Sequence, residues 1–264
     1  MKGHIRQRGK QSWELKFDAG RDPATGKRKI QYHAFRGNKR AAQVKLAELI
    51  ASVGQGSYVE PSKATVADFV RARVDQWEAA GNISARTAQR YRQLVENQIA
   101  PHIGAKPLQK LTRLDIEEWH ATLKSGGLAA RTIGHAHRVL SKALGDAESD
   151  GAVVKNVGRL QRAPKVAESE MVIVRDVPAV VTKIEGERLY VPAVVALSTG
   201  MRLGEILALR EHRVDLDRGV IEVREALEET KANGIVFKPP KSKAGRRDIT
   251  LPTIAIEALR EHRK

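Results

Sequence analysis

The hydrophobic period of this chain switches from two to helical near residue 38, so a small sheet and a helical region must follow one another. Trp13, Leu15 and Phe17 alternate with Glu14, Lys16 and Asp18, a pattern that buries one face of a strand. Ile30, Tyr32 and Ala34 repeat it against Lys29, Gln31 and His33. Gly20 to Lys27, with Asp22-Pro23 and Thr25-Gly26, supplies turn residues for a long hairpin, and His4–Arg8 adds a short third strand. From Asn38 onward Val44, Leu46, Leu49, Ile50 and Val53 suit a helix that Gly54 or Gly56 stops. Residues 1–60 thus read as a three-stranded sheet with one face under a helix. The free face is expected to present Lys16, Gln31 and His33, with Arg6 and Arg8 nearby.

Residues 57–63 (SYVEPSK) read as a linker, and 64–164 as an all-α unit. Thr65 with Asp68 resembles a capping box for a helix running towards Ala80, and Ser84 caps a second from Ala85 to Ile99. Thr112 with Asp115 opens a third, carrying Ile116, Trp119 and Leu123. A fourth spans about 129–148, with Ile133, Ala136, Leu140, Leu144 and Ala147 on one side. Two of these helices share a polar stripe. Arg86, Arg90, Gln93 and Asn97 fall at i, i+4, i+7 and i+11 on the second, and Arg131, His135, Arg138 and Lys142 repeat those offsets on the fourth. Neither stripe contains a carboxylate. Arg and Lys neutralise phosphates, while Gln and Asn also read base edges. His135 and Arg138 match an H-x-x-R spelling, but on this helix they read as part of the basic stripe.

Charge separates the segments further. The net charge is +16, of which residues 1–62 carry +8, residues 63–164 +6 and residues 165–264 only +2. A surplus concentrated at the front favours a polyanion partner, although solvated surfaces also carry such charge. With no cysteine, disulfides, thiolate zinc sites and cysteine nucleophiles are excluded. The absence of a membrane-length apolar run or a signal-peptide core leads to an expectation of a cytoplasmic, nucleoid-associated protein with no membrane partner. At 4% aromatics, no stacking surface for single-stranded RNA is evident.

After a polar connector at 161–170, helical patterns near 176–184 and 188–197 lead into Ser198-Thr199-Gly200-Met201-Arg202-Leu203-Gly204-Glu205-Ile206-Leu207-Ala208-Leu209. Val220–Val223 reads as a strand. Val236-Phe237 and Asp248–Leu251 read as a further strand pair, joined through Lys238 to Arg247.

The string T-G-M-R-L-G-E-I-L-A-L resembles the first arginine box of the tyrosine recombinases, the integrases of phages and mobile elements. The downstream P-K-S-K-A-G-R-R-D-I-T-L-P resembles the hairpin that carries their catalytic lysine. The resemblance extends to the layout: an arm-type DNA-binding domain (1–60), a helical core-type DNA-binding domain (64–164) and the first part of a mixed α/β catalytic domain (170–264). It implies an α+β multidomain fold and attack of a tyrosine on a DNA phosphate to give a 3′-phosphotyrosyl bond, with no metal or other cofactor. In that scheme Arg202 matches the arginine that holds the scissile phosphate, Glu205 the acidic residue that orients the site, and Lys243 the lysine that protonates the leaving 5′-oxygen. Lys241 is a rival for that last role, or an additional DNA contact.

Two departures qualify the resemblance. Many relatives have a tryptophan-containing segment after the position of Leu209, where this chain has Arg210-Glu211-His212-Arg213. The family's histidine-arginine box and nucleophile follow the lysine hairpin, whereas Tyr32, Tyr58, Tyr91 and Tyr190 all precede Arg202. The chain therefore reads as an integrase cut inside its catalytic domain, expected to bind double-stranded attachment-type DNA without cleaving it. It is expected to be a monomer when free, with tetramers on DNA only for a complete protein. The competing expectation is a non-catalytic DNA-binding regulator that keeps the scaffold.

Overall fold

The computed structural model describes residues 3–21, 25–168 and 173–264. The Asp22-Pro23 part of the expected first turn and residues 169–170 of the connector lie outside the described residues. Two compact units emerge: one combines Met1–Arg73 with Gln93–Lys165, the other Val74–Arg92 with Val166–Lys264.

In the first unit, β1 (His4–Gly9), β2 (Ser12–Arg21) and β3 (Arg28–Arg36) form an antiparallel sheet in that order. Helix α1 (Lys39–Gly54) covers one face, and Trp13, Leu15, Phe17, Ala42 and Leu46 form the core between them. Leu15, Phe17 and Leu46 each contribute roughly 1.5–3 kcal/mol on burial. Asn38 caps α1 by accepting from the Ala41 N–H at 2.8 Å. Gly56, at φ +68°, turns the chain away after its last residue. Val44 is exposed, because it lies about 200° around the helix from Leu46.

The register of β3 differs from expectation. Trp13 pairs with Phe35, Leu15 with His33 and Phe17 with Gln31. Directly paired residues share a face, so Gln31 and His33 lie on the helix side, and Tyr32, 59% exposed, lies on the free face. Both faces of β3 carry apolar residues, so alternation alone left the parity open; Phe35 packing against the core decides it.

The expected linker is tied down. Tyr58 meets Phe17 edge-on at 5.3 Å between ring centroids. Glu60 accepts hydrogen bonds from Lys29 Nζ at 2.5 Å and Gln31 Nε2 at 2.8 Å.

The helical elements follow the caps. α2 (Val66–Ala79) begins at Thr65, whose Oγ1 accepts from the Asp68 N–H at 3.2 Å. α3 (Ala85–Leu94) begins at Ser84 and continues as a π-helix over Val95–Gly104, a wider turn that accommodates Pro101. α4 (Arg113–Ser125) has the reciprocal Thr112–Asp115 box, and α5 (Ala130–Ser149) buries Ile133, Ala136, Leu140, Leu144 and Ala147. Trp119 is buried, and its Nε1 donates to the Gln98 carbonyl at 2.7 Å.

His120 and His137 are buried with ring centroids 5.0 Å apart; His120 Nε2 and His137 Nδ1 have no hydrogen-bond partner. Burial, with His120 and Arg138 nearby, pushes His137 down to about 4, and burial also lowers His120. The unfolded chain takes up a proton near the ordinary pKa of 6.5, which the folded chain resists until about 4, so stability falls as pH drops through that window. His137 alone is expected to cost about 2 kcal/mol between pH 7 and pH 5. Urea midpoints at the two pH values check this, and the loss should shrink in His137→Leu.

In the second unit, α6 (Val177–Lys183) and α7 (Tyr190–Thr199) precede the short α8 (Leu203–Leu207). β4 (Val214–Asp215), β5 (Val220–Val223) and β8 (Arg247–Thr250) form one sheet; β6 (Ala226–Thr230) and β7 (Gly234–Lys238) form a separate hairpin. α9 (Thr253–His262) packs back on α7. The core gathers Val194, Val195, Met201, Ile221, Val223, Leu251 and Ala255.

The expected pairing of Val236-Phe237 with Asp248–Leu251 does not form. β7 pairs with β6 through a turn at Gly234 (φ +60°), and β8 pairs with β5, placing Ile221 opposite Ile249. Pro239-Pro240 supplies no N–H to extend β7 into the next strand.

Candidate active site and DNA-facing surfaces

The turn that presents Arg202 is built from its own residues. Gly200 ends α7 in the left-handed region at φ +64°, where a β-carbon would be strained. Thr199 Oγ1 accepts from the Met201 N–H at 3.2 Å, and the Met201 side chain is buried in the core. Arg202 then emerges with its side chain 76% exposed, immediately before α8.

Glu205, one turn on, is 3% exposed. Its Oε2 accepts from the Arg202 N–H at 3.0 Å and its Oε1 from Arg202 Nη1 at 2.9 Å. A second arginine, Arg247 on β8, closes on the same carboxylate. Arg247 Nη2 donates to Oε2 at 2.9 Å and Nη1 to Oε1 at 3.3 Å. Burial pushes the Glu205 carboxyl up, but Arg247 together with the backbone and side chain of Arg202 outweighs it and brings the group to about 2. The carboxylate is therefore ionised throughout the physiological range. Two arginines against one carboxylate leave a net single positive charge, carried outward by Arg202.

Arg247 Nη1 also donates to the Gly245 carbonyl at 3.1 Å. That carbonyl ends the short 3₁₀ turn Lys243–Gly245, in which Lys243 is exposed. A β-carbon on Gly245 would lie 2.6 Å from Pro240 Cβ, so the turn depends on glycine for a close approach. Lys241 is exposed outside this turn. Arg247 is the member of the constellation that the sequence did not single out. Its signal was faint: one arginine in a strand, 42 residues from its partner carboxylate.

α8 is seated against β6 at Gly204, where a β-carbon would meet the Leu227 carbonyl oxygen at 2.9 Å. A backbone oxygen cannot rotate aside. Gly204→Ala is expected to destabilise the protein by about 1–3 kcal/mol, checked by chemical denaturation. In place of the tryptophan segment, Arg210 pairs with Glu225 at 2.5 Å and stacks on Phe237 at 4.6 Å, while Arg213 pairs with Glu222 at 2.5 Å.

Of the remaining candidates, Arg131, His135, Arg138 and Lys142 lie exposed along α5. Arg86 and Arg90 are exposed on α3 and Gln93 is half-buried. Asn97 is exposed beyond the change to π-helical register, so the regular spacing does not carry through to it. On the sheet, Arg6 and Lys16 lie on the free face with Tyr32 and Arg36, as the pairing register requires. Arg8 is paired with Glu14 at 2.8 Å. Gln31 and His33 leave the free face, as the register of β3 dictates: Gln31 is held by Glu60, and His33 lines a groove with Lys45, Leu49 and Tyr58. Among the described residues no group of acidic, histidine or cysteine side chains is arranged to hold a metal ion, and no helix is long and apolar enough to cross a membrane.

Residues 70–124 match the family described as phage integrase, N-terminal SAM-like domain. An integrase of Streptomyces ambofaciens is 29% identical over 96% of this chain and 65% of its own length. A putative prophage phiRv2 integrase of Mycobacterium tuberculosis is 28% identical over 70% of this chain and 49% of its own. The chain is thus similar to integrases of the tyrosine recombinase family. Solved recombinases share the fold. The Tn1549 transposon integrase, in complex with a circular intermediate DNA, superposes with a TM-score of 0.65 at 23% identity, covering 75% of this chain and 64% of that one. Lambda integrase, as a tetramer bound to a Holliday junction, gives 0.51 at 19% identity over 89% and 68%. The chain spans about two thirds of one curated relative and half of another.

Proposed function

We propose that these 264 residues form the DNA-binding and phosphate-holding portion of a site-specific tyrosine recombinase. The observation that carries the reading is the exposed Arg202 guanidinium, held by a buried, ionised Glu205 that a second arginine also clamps. Charge that builds on a scissile phosphate is stabilised by donors fixed before reaction, and an arginine fork whose one arm is already tethered is such a donor. Lys243, at the start of a turn bonded into the same network, is the residue we assign to protonating a leaving 5′-oxygen; Lys241 is outside that turn.

The substrate in this reading is double-stranded DNA. The free sheet face with Arg6, Lys16, Tyr32 and Arg36 has the form of a ribbon that enters a major groove, and α3 and α5 each present a cationic stripe. Since the tyrosines all precede Arg202, the chain binds without forming a covalent link by itself. Titration of the chain with a labelled attachment-type duplex at several salt concentrations tests the reading. Salt-sensitive binding is expected; undetectable or salt-insensitive binding would remove it.

A further inference from the structure

We propose that Arg247 is a positioning residue that couples Arg202 to the Lys243 turn through Glu205, so that both cations meet one phosphate group as a unit. The inference rests on the recombinase reading and deepens it. Arg247 makes three hydrogen bonds with two nitrogens: two to the Glu205 carboxylate and one to the Gly245 carbonyl. One planar group therefore spans the holder of Arg202 and the end of the turn that begins at Lys243. Arg202 and Lys243 lie on separate elements 41 residues apart in sequence, and this guanidinium supplies a hydrogen-bonded path between them.

Charge gives the same residue a second task. Without Arg247, the buried Glu205 would neutralise Arg202, and the exposed guanidinium would face a phosphate with no net charge behind it. Glu205 also lines a narrow crevice whose other charged residues are committed elsewhere: Arg210 to Glu225, Arg213 to Glu222, and Arg224 to Asp248 at 2.5 Å. Arg224 additionally donates to the Arg247 carbonyl at 3.0 Å, fixing the backbone from which Arg247 projects. Lysine could restore the charge at 247 but presents one nitrogen, which cannot reproduce the two-pronged grip together with the Gly245 bond.

NMR of the 264-residue chain tests this with inorganic phosphate as the probe, comparing wild type, Arg247→Met and Arg247→Lys. In the wild type, phosphate is expected to shift the Arg202 side-chain and Lys243 signals with one common affinity. Arg247→Met should weaken that affinity at least tenfold, uncouple the two responses and raise the Glu205 carboxyl midpoint towards the ordinary carboxylate range. Arg247→Lys should recover the Glu205 titration while amide exchange in the 243–245 turn stays faster than wild type. If Arg247→Met does not fold, Arg247→Lys decides: faster turn exchange supports the coupling, and wild-type exchange overturns it. A wild type that responds to phosphate and an Arg247→Met that responds identically would overturn the role of Arg247 alone. Silence of both Arg202 and Lys243 in the wild type would instead overturn the phosphate-site reading, and the coupling with it.

Discussion

Raising salt from 50 to 200 mM is expected to weaken duplex binding by this chain by about 10³–10⁵-fold, the loss that follows from neutralising roughly 6–10 phosphates. Arg6, Lys16, Arg36, Arg86, Arg131 and Arg138 are exposed cations on the sheet face and the two helical stripes, which places the chain at the lower end of that range. The +14 of residues 1–164 would overstate it. Arg28 is paired with Asp18, Arg71 with Glu96, and Arg92 with Asp75 and Glu78, so part of the surplus is spent internally. Fluorescence anisotropy across a salt series measures the slope of log affinity. Replacing Arg131 or Arg138 with Ala should lower the magnitude of that slope by about one each, without changing which duplex is preferred. A slope that neither substitution moves would take α5 out of the interface.

The second large effect concerns chemistry. In a protein that carries these residues together with a C-terminal tyrosine, Arg202→Ala is expected to lower the rate of covalent complex formation by at least about 10²–10³-fold. Duplex affinity should fall by far less, since most of the exposed cations lie elsewhere. The expectation follows from geometry: one Arg202 nitrogen is anchored at 2.9 Å on Glu205, and the side chain is 76% exposed, so its remaining donors are aimed outward at little entropic cost. Arg202→Lys should rescue poorly, because a point charge cannot grip Glu205 and two phosphate oxygens together. A nicked duplex that traps the covalent adduct, resolved on a denaturing gel, gives the readout. Unimpaired adduct formation by Arg202→Ala would remove this residue from the reacting centre.

What could be read from the sequence follows the range of the forces involved. Helix starts at Ser84 and Thr112 were legible because a cap is satisfied within three residues of chain. The Arg202–Glu205 pairing was legible for the same reason, since both belong to one turn. Even the buried stripe of α5 needs only a 3.6-residue period. The positions that escaped all depend on distant partners. Nothing local distinguishes the two parities of β3; Phe35 must find the core before Gln31 and His33 are committed to the helix side.

β8 offered two partners of similar apolar character, β7 and β5. Two prolines after β7 and the tight turn at Gly234 decided against the nearer one. That choice of strand partner is also what delivers Arg247 to Glu205 across 42 residues. The sequence by itself therefore determined the order of sheet, helices and arginine turn, because hydrophobic period and capping act within a few residues. Only the tertiary structure decided which sheet face is free and which second arginine completes the site, because strand register and a buried charge cluster exist only once remote segments have met.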